Sequence, residues 1–322
     1  MKMNKKLTIQ TLWILTLFLL VAPSSVFATQ YEEEEEWNRS FDIGPNGSFA
    51  LTNISGDIVI RGGASDQVRV QAVKEVHRAS SDAEARRQLD RVDIQVTHTG
   101  NRLRIKTHYA EKDRDHDSSV SVDFEVIVPS GTEVSAKSVS GDIEVSNIQG
   151  ELKAETVSGE VDVQSADKLV LAKSVSGSVE VAAAKGAENM EISSVSGDVE
   201  VDGLDAPRVT FESVSGDIEI TDAKCARASL KTVSGDVRYV GPLESSGRYE
   251  FQSHSGDVNV VISGDTGFEI DAKSFSGEIE SEFPLEVHSI RGERRKLSGV
   301  YGDGSAYIEA TTFSGDVSIE KR

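Results

Sequence analysis

Thr156-Val157-Ser158-Gly159-Glu160-Val161-Asp162-Val163 recurs in close copies through most of the chain. Its Ser-Gly step returns with the glycine at Gly56, Gly141, Gly159, Gly177, Gly197, Gly216, Gly235, Gly256, Gly277 and Gly315. From Gly141 to Gly277 the spacings are 18, 18, 20, 19, 19, 21 and 21, and the last gap, 38, is twice 19. A fixed period near 20 is the mark of stacked repeats, each too small to bury its own apolar face.

Aligned on the glycine, the preceding residue is serine in all ten copies. Three before it lies a small polar residue: Asn53, Ser138, Thr156, Ser174, Ser194, Ser213, Thr232, Ser253, Ser274 or Thr312. Positions seven and five before the glycine are apolar, as are positions two and four after it, with Ser281 the exception. The alternation changes phase inside the motif, so that Thr156 and Val157 both read as inward. A regular strand alternates its faces, so the motif implies a corner or bulge between two short strands. The glycine stands where a side chain has no room. Such rungs stack about 4.8 Å apart with like residues above like. The pattern predicts an all-β fold, a parallel β-solenoid of 18–21-residue repeats with one short helix in the N-terminal region. Antiparallel hairpins forming a sandwich or barrel are the alternative.

Acids fill the outward positions of the strand after the glycine. Asp57, Asp142, Glu160, Asp198, Asp217, Asp236, Asp257, Glu278 and Asp316 follow it directly, with Ser178 the exception, and Glu144, Asp162, Glu180, Glu200, Glu219 and Glu280 lie three after. Neighbouring carboxylates at that spacing repel by roughly 0.9 kcal/mol in water. Asp142, Glu160, Asp198, Asp217, Asp236 and Asp257 are therefore candidates for cation contact, calcium first. Turn chemistry and solubility account for the same acids without a ligand. The double-glycine calcium nonapeptide is absent, and no other cofactor is implied. Four before the glycine, Lys137, Glu155, Lys173, Ser193, Glu212, Lys231, Gln252 and Lys273 largely alternate in sign, which is mildly stabilising across adjacent strands.

Outside the repeats, residues 1–28 read as a secretory signal: Lys2, Lys5 and Lys6, an apolar run Leu12–Ala22, and Val26-Phe27-Ala28 before the cleavage point. The apolar run is short for a membrane anchor and meets Pro23. Removing the three lysines takes the net charge from −20 to −23. That argues against nucleic acid as a partner. Cys225 is the one cysteine, so an internal disulfide is excluded. Residues 29–40, with five consecutive glutamates, read as a flexible acidic leader. Residues 41–130 form a β-rich N-terminal region holding the first repeat. In it Ser81 and Glu84 make a capping box for a helix within 80–92, and Thr99-Gly100-Asn101 reads as a hairpin turn. His108, Asp113, Asp115, His116 and Asp117 sit in a charged loop whose spacing matches no metal motif. Residues 131–322 form the repeat stack, with an irregular segment at 282–306 that suits a closing hairpin and the motif around Gly315 returning as the final rung.

The repeated Thr/Ser-Val-Ser-Gly-Asp-Ile/Val-x-Val motif after a signal peptide resembles a bacterial secreted β-strand-repeat family catalogued as candidate adhesins, a domain of unknown function. The resemblance covers roughly 41–322, including Val128-Pro129-Ser130-Gly131-Thr132. It implies an exported, non-catalytic envelope protein, in the periplasm, at the cell surface or outside the cell. Its partner would be an envelope protein or a glycan, with no integral membrane span after cleavage. Envelope-stress sensing or scaffolding is the alternative. A polysaccharide-active enzyme using the exposed acidic face is the third and least favoured reading, because the six histidines are scattered and no nucleophile elbow, zinc motif or phosphate loop appears. His254 occupies the valine position of its rung, which suggests packing.

Overall fold

The computed structural model describes residues 33–110, 120–186, 188–287 and 296–322. The signal segment, the charged loop from 111 to 119 with Asp113, Asp115, His116 and Asp117, and residues 288–295 of the irregular segment lie outside the described residues.

The fold is the expected all-β stack. Each rung contributes two short strands, one before and one after its glycine, and rungs pair in parallel, as in Val161–Gln164 against Val179–Ala182. One bend falls at the glycine. The second falls six residues later, where Asn147, Ser165, Ala183 and Asp222 all take positive φ between 51° and 59°. Between the bends, side chains two and four after the glycine, with those seven and five before it, fill one continuous core, such as Val161, Val163, Leu152 and Ala154.

The N-terminal region closes one end of the stack. Its elements are β1 (Glu34–Asp42), β2 (Ser48–Thr52), β3 (Ile58–Gly63), β4 (Gln67–Val76), α1 (Asp82–Leu89), β5 (Val92–Thr99), β6 (Arg102–Tyr109), β7 (Val120–Pro129) and β8 (Glu133–Ser140). β2 and β3 form the first rung, with β6 and β7 parallel to them on its outer side. Antiparallel β5 and β4 extend the two sheets, and β1 adds to β4. Ser81 caps α1, its Oγ accepting the Glu84 N–H at 3.3 Å.

Three expectations are corrected. The acidic leader is ordered from Glu34 onward, because β1 pairs antiparallel with β4 along its length, with Glu35 on Lys74 at 3.1 Å. The motif around Gly315 is not the last rung. Its strands lie between those of the Gly256 and Gly277 rungs: Phe251 pairs with Ala310, and Ala310 in turn with Ala272. The Gly277 rung is the outer one, covered by Lys296–Tyr301, which pairs antiparallel with Phe268–Lys273 and with Glu286–Val287.

The third correction concerns phase. Thr156 is buried, but Val157 is 48 % exposed, and the same holds at every rung. The bend turns Val157, Ser158 and Glu160 outward together. An apolar residue at this position looks inward on periodicity alone, yet the inner side of the corner is already filled by the hydroxyl column.

Candidate functional site: the outer corner

Two ladders explain the invariant polar residues of the motif. Inside the corner, each hydroxyl donates to the carbonyl of the preceding rung's glycine: Thr156 to Gly141 at 3.1 Å, Ser174 to Gly159 at 2.8 Å, Ser194 to Gly177 at 2.8 Å and Ser253 to Gly235 at 2.8 Å. The inserted rung obeys the same rule, with Thr312 on Gly256 and Ser274 on Gly315, both at 2.9 Å. At the first rung Asn53 takes the position, and its amide bonds the Gly56 carbonyl at 2.9 Å. Among the described residues the Oγ of Ser138, one rung on, has no partner. This carbonyl traffic also fixes the glycine. At Gly159, φ is +139°, and an added Cβ would sit on the Gly141 carbonyl oxygen.

Outside the corner, each aspartate that follows the glycine accepts the backbone N–H of the equivalent residue in the next rung. Asp142 takes Glu160, Asp198 takes Asp217, Asp217 takes Asp236, Asp236 takes Asp257 and Asp257 takes Asp316, at 2.7–2.8 Å. The ladder lapses at Glu160 and Ser178, where the side chain is a methylene too long or carries no carboxylate. So five of the six candidate cation contacts have one oxygen committed to the backbone, and all six stand in a single file rather than a cage. Among the described residues no group of three or more His, Cys, Asp or Glu side chains is arranged to hold a metal ion.

The second acidic column forms a shallow groove lined by Asp162, Glu180, Glu200, Asp202 and Glu219. Burial, then the carboxylates of Glu200, Asp162 and Glu160, push the Glu180 carboxyl above its usual range. Arg61 meets Glu144 at 3.6 Å at one end and Arg238 meets Glu219 at 3.3 Å at the other. Towards the N-terminal end, Arg39, Arg61 and Arg69 line a wider groove with Glu125 and Ile127.

The outward valines form the feature that periodicity missed. Ile54, Val139, Val157, Val175, Val195, Val214 and Val233 stack rung upon rung as an exposed apolar ladder. It continues through His254, Phe313 and Phe275, whose rings stack in parallel at 4.9 Å and 4.6 Å. His254 is thus on the surface, not packed in the core. A trough runs beside the ladder, because residues four and two before the glycine both face outward and diverge over the inward hydroxyl between them. Its other wall is the mixed-charge column, in register as Lys173–Ser193–Glu212–Lys231–Gln252.

The buried groups with displaced pKa values are elsewhere. Burial pushes the Cys225 thiol up to about 12 and raises the Tyr239 and Tyr249 phenols. Tyr249 donates to the Cys225 carbonyl at 2.7 Å and Tyr239 to the Pro242 carbonyl at 2.8 Å, which anchors the turn at 242–244 to the core. Among the described residues no helix is long and apolar enough to cross a membrane.

A stack of two-strand rungs stapled at one corner by hydroxyl and carboxylate ladders places the chain among parallel β-solenoid repeat proteins. Residues 48–320 match the family described as Toastrack DUF4097, and the chain belongs to it. No curated protein matches the sequence. Solved structures similar to it include a candidate adhesin from Bacteroides fragilis, 14 % identical, covering 89 % of this chain and 97 % of that one at a TM-score of 0.43. A candidate adhesin from Parabacteroides distasonis is 12 % identical, covering 92 % and 98 % at 0.43. A candidate cell adhesion protein from Clostridium sporogenes is 9 % identical, covering 91 % and 100 % at 0.22.

Proposed function

We propose that this protein is an exported, non-catalytic, adhesin-like binding module of the cell envelope. The observation that carries the reading is the apolar ladder on the outer corner. A solenoid needs core residues inside and polar residues outside. Ten rungs of exposed valine, isoleucine, histidine and phenylalanine contribute little to the core, and contiguous apolar surface on a soluble protein marks a contact site. The regular rung spacing makes the corner a rigid ruler about 43 Å long, suited to an extended ligand. Export is supported by the signal-like sequence of residues 1–28.

The test uses tagged full-length protein for fractionation and purified residues 29–322 for binding. The reading expects the tagged protein outside the cytoplasm, saturable binding of the purified protein to isolated envelopes or intact cells, and no release of reducing sugar from polysaccharides. Cytoplasmic retention, the absence of saturable binding, or polysaccharide cleavage would overturn it.

A further inference from the structure

The trough beside the apolar ladder has its best-formed stretch across the rungs of Gly177 to Gly256. There it encloses 390 Å³ and is lined by Val195, Val214 and Val233 on one wall and by Lys173, Ser193 and Glu212 on the other. We propose that this stretch binds a neutral, unbranched polysaccharide lying along the stack axis. The proposal deepens the binding-module reading and rests on it.

Four observations select that ligand. First, Ser193 is 5 % exposed, and its Oγ has no hydrogen-bond partner among the described residues. It is the one short side chain between Lys173 and Glu212, its partners in the neighbouring strands. Native structures rarely leave a buried hydroxyl unpaired, and such a group marks where a partner belongs. Second, charge is balanced. Lys231 is paired with Glu250 at 2.8 Å, which leaves Lys173 and Glu212 as one cation and one anion. They stand two rungs apart, about 9.6 Å, and no ion pair joins them. A polyanion is attracted by Lys173 but repelled by Glu212, and a polycation the reverse, so neither gains a net charge match, whereas a hydroxylated chain can accept from Lys173, donate to Glu212 and exchange a bond with Ser193.

Third, the walls are amphipathic in the way a sugar chain is. The C–H faces of the rings match the valine wall and the rim hydroxyls match the polar one. Fourth, the trough crosses the strands instead of following a sheet edge. The backbone groups beneath it already pair between rungs, as in Ser194 N–H to Glu212 O at 2.9 Å and Ser213 N–H to Lys231 O at 3.0 Å. A peptide laid there gains none of the main-chain bonds through which strand addition binds.

The experiment is affinity electrophoresis of purified residues 29–322 through gels containing laminarin, dextran, soluble xylan or mannan, with alginate and poly-lysine as charged probes. The expected result is retardation by at least one neutral polysaccharide, weakened about tenfold in Val195→Lys/Val214→Lys. Ser193→Ala is expected to weaken it more mildly, and Glu200→Gln/Glu219→Gln on the other face to leave it unchanged. Unchanged circular dichroism and melting temperature confirm that each variant folds. No retardation by any neutral polysaccharide, retardation by a charged probe alone, or equal retardation of Val195→Lys/Val214→Lys would overturn the proposal. Envelope binding of the same variants separates the two claims. Binding that survives the trough substitutions sinks this inference alone, while no envelope binding by the unaltered protein sinks the broader reading.

Discussion

The Oδ1 atom of Asp217 accepts the backbone N–H of Asp236 at 2.7 Å, and the N–H of Asp217 itself donates to Asp198 at 2.8 Å. Each aspartate is thus a splint between two rungs. Asp217→Ala removes a charge-assisted bond at the surface and is expected to cost about 1 kcal/mol, while Asp217→Asn keeps an acceptor and costs less. Urea midpoints of the two variants measure the difference. Equal midpoints for Asp217→Ala and the unaltered protein would show that the acids serve solubility alone.

Glycine is required at Gly159 for a reason absent at Gly100. Both have positive φ, but a Cβ at Gly100 meets nothing within 4 Å, while at Gly159 it meets the Gly141 carbonyl. Gly100→Ala is expected to cost about 1–2 kcal/mol from backbone conformation alone. Gly159→Ala forces two rungs apart and exceeds that by several kcal/mol, since it also breaks ladder bonds on both sides. Thermal melting of the two variants side by side reads out the contrast.

Glu180 gives the stack a pH dependence of definite sign. Its folded-state pKa is raised, by burial first and by Glu200, Asp162 and Glu160 next. The charged form is therefore penalised in the folded state, and stability rises as pH falls through the window at and just above the usual glutamate value of about 4.3. Glu180→Gln is expected to raise the urea midpoint at pH 7, with the gain shrinking towards pH 4 and in high salt. A variant less stable than the parent at pH 7 would contradict the assignment.

The inserted rung makes the C-terminus structural. Ala306–Ser314 pairs on both sides, with Arg248–Ser255 and with Phe268–Ser276. Ending the chain after Ser305 removes an internal layer, so the facing edges of the Gly256 and Gly277 rungs lose their partner while their other edges stay paired. The expected result is loss of protease resistance across 248–287. A truncated protein with unchanged limited-proteolysis bands would place that rung at the end instead.

Much of this fold is legible in the sequence, and the reasons for the gaps are physical. The period, the parallel stacking and the capped helix come from local chemistry: glycine spacing, alternating apolar residues, and Ser81 three before Glu84. The order of rungs does not, because the motif around Gly315 is nearly identical to its neighbours and a repeat carries no address. Glu34–Asp42 is not legible as a strand, because a run of like charges looks solvated until Lys74 is placed beside Glu35. The valine ladder is not legible either, because hydrophobicity argues for burial, while the bond that decides the corner is a hydroxyl donating to a glycine carbonyl in another rung. Ser193 gave one sequence signal, a serine in a column of charges.

The central claim is that Val157 and its equivalents face solvent while Thr156 and its equivalents face the core. In a Cys225→Ser background, single cysteines at Val157, Val214, Thr156 and Val161 can be timed for maleimide labelling in the native state. The account predicts fast labelling at Val157→Cys and Val214→Cys, and labelling at Thr156→Cys and Val161→Cys only on unfolding. Protection at Val157 and Val214 would contradict it, and the exposed ladder and its trough would fall together.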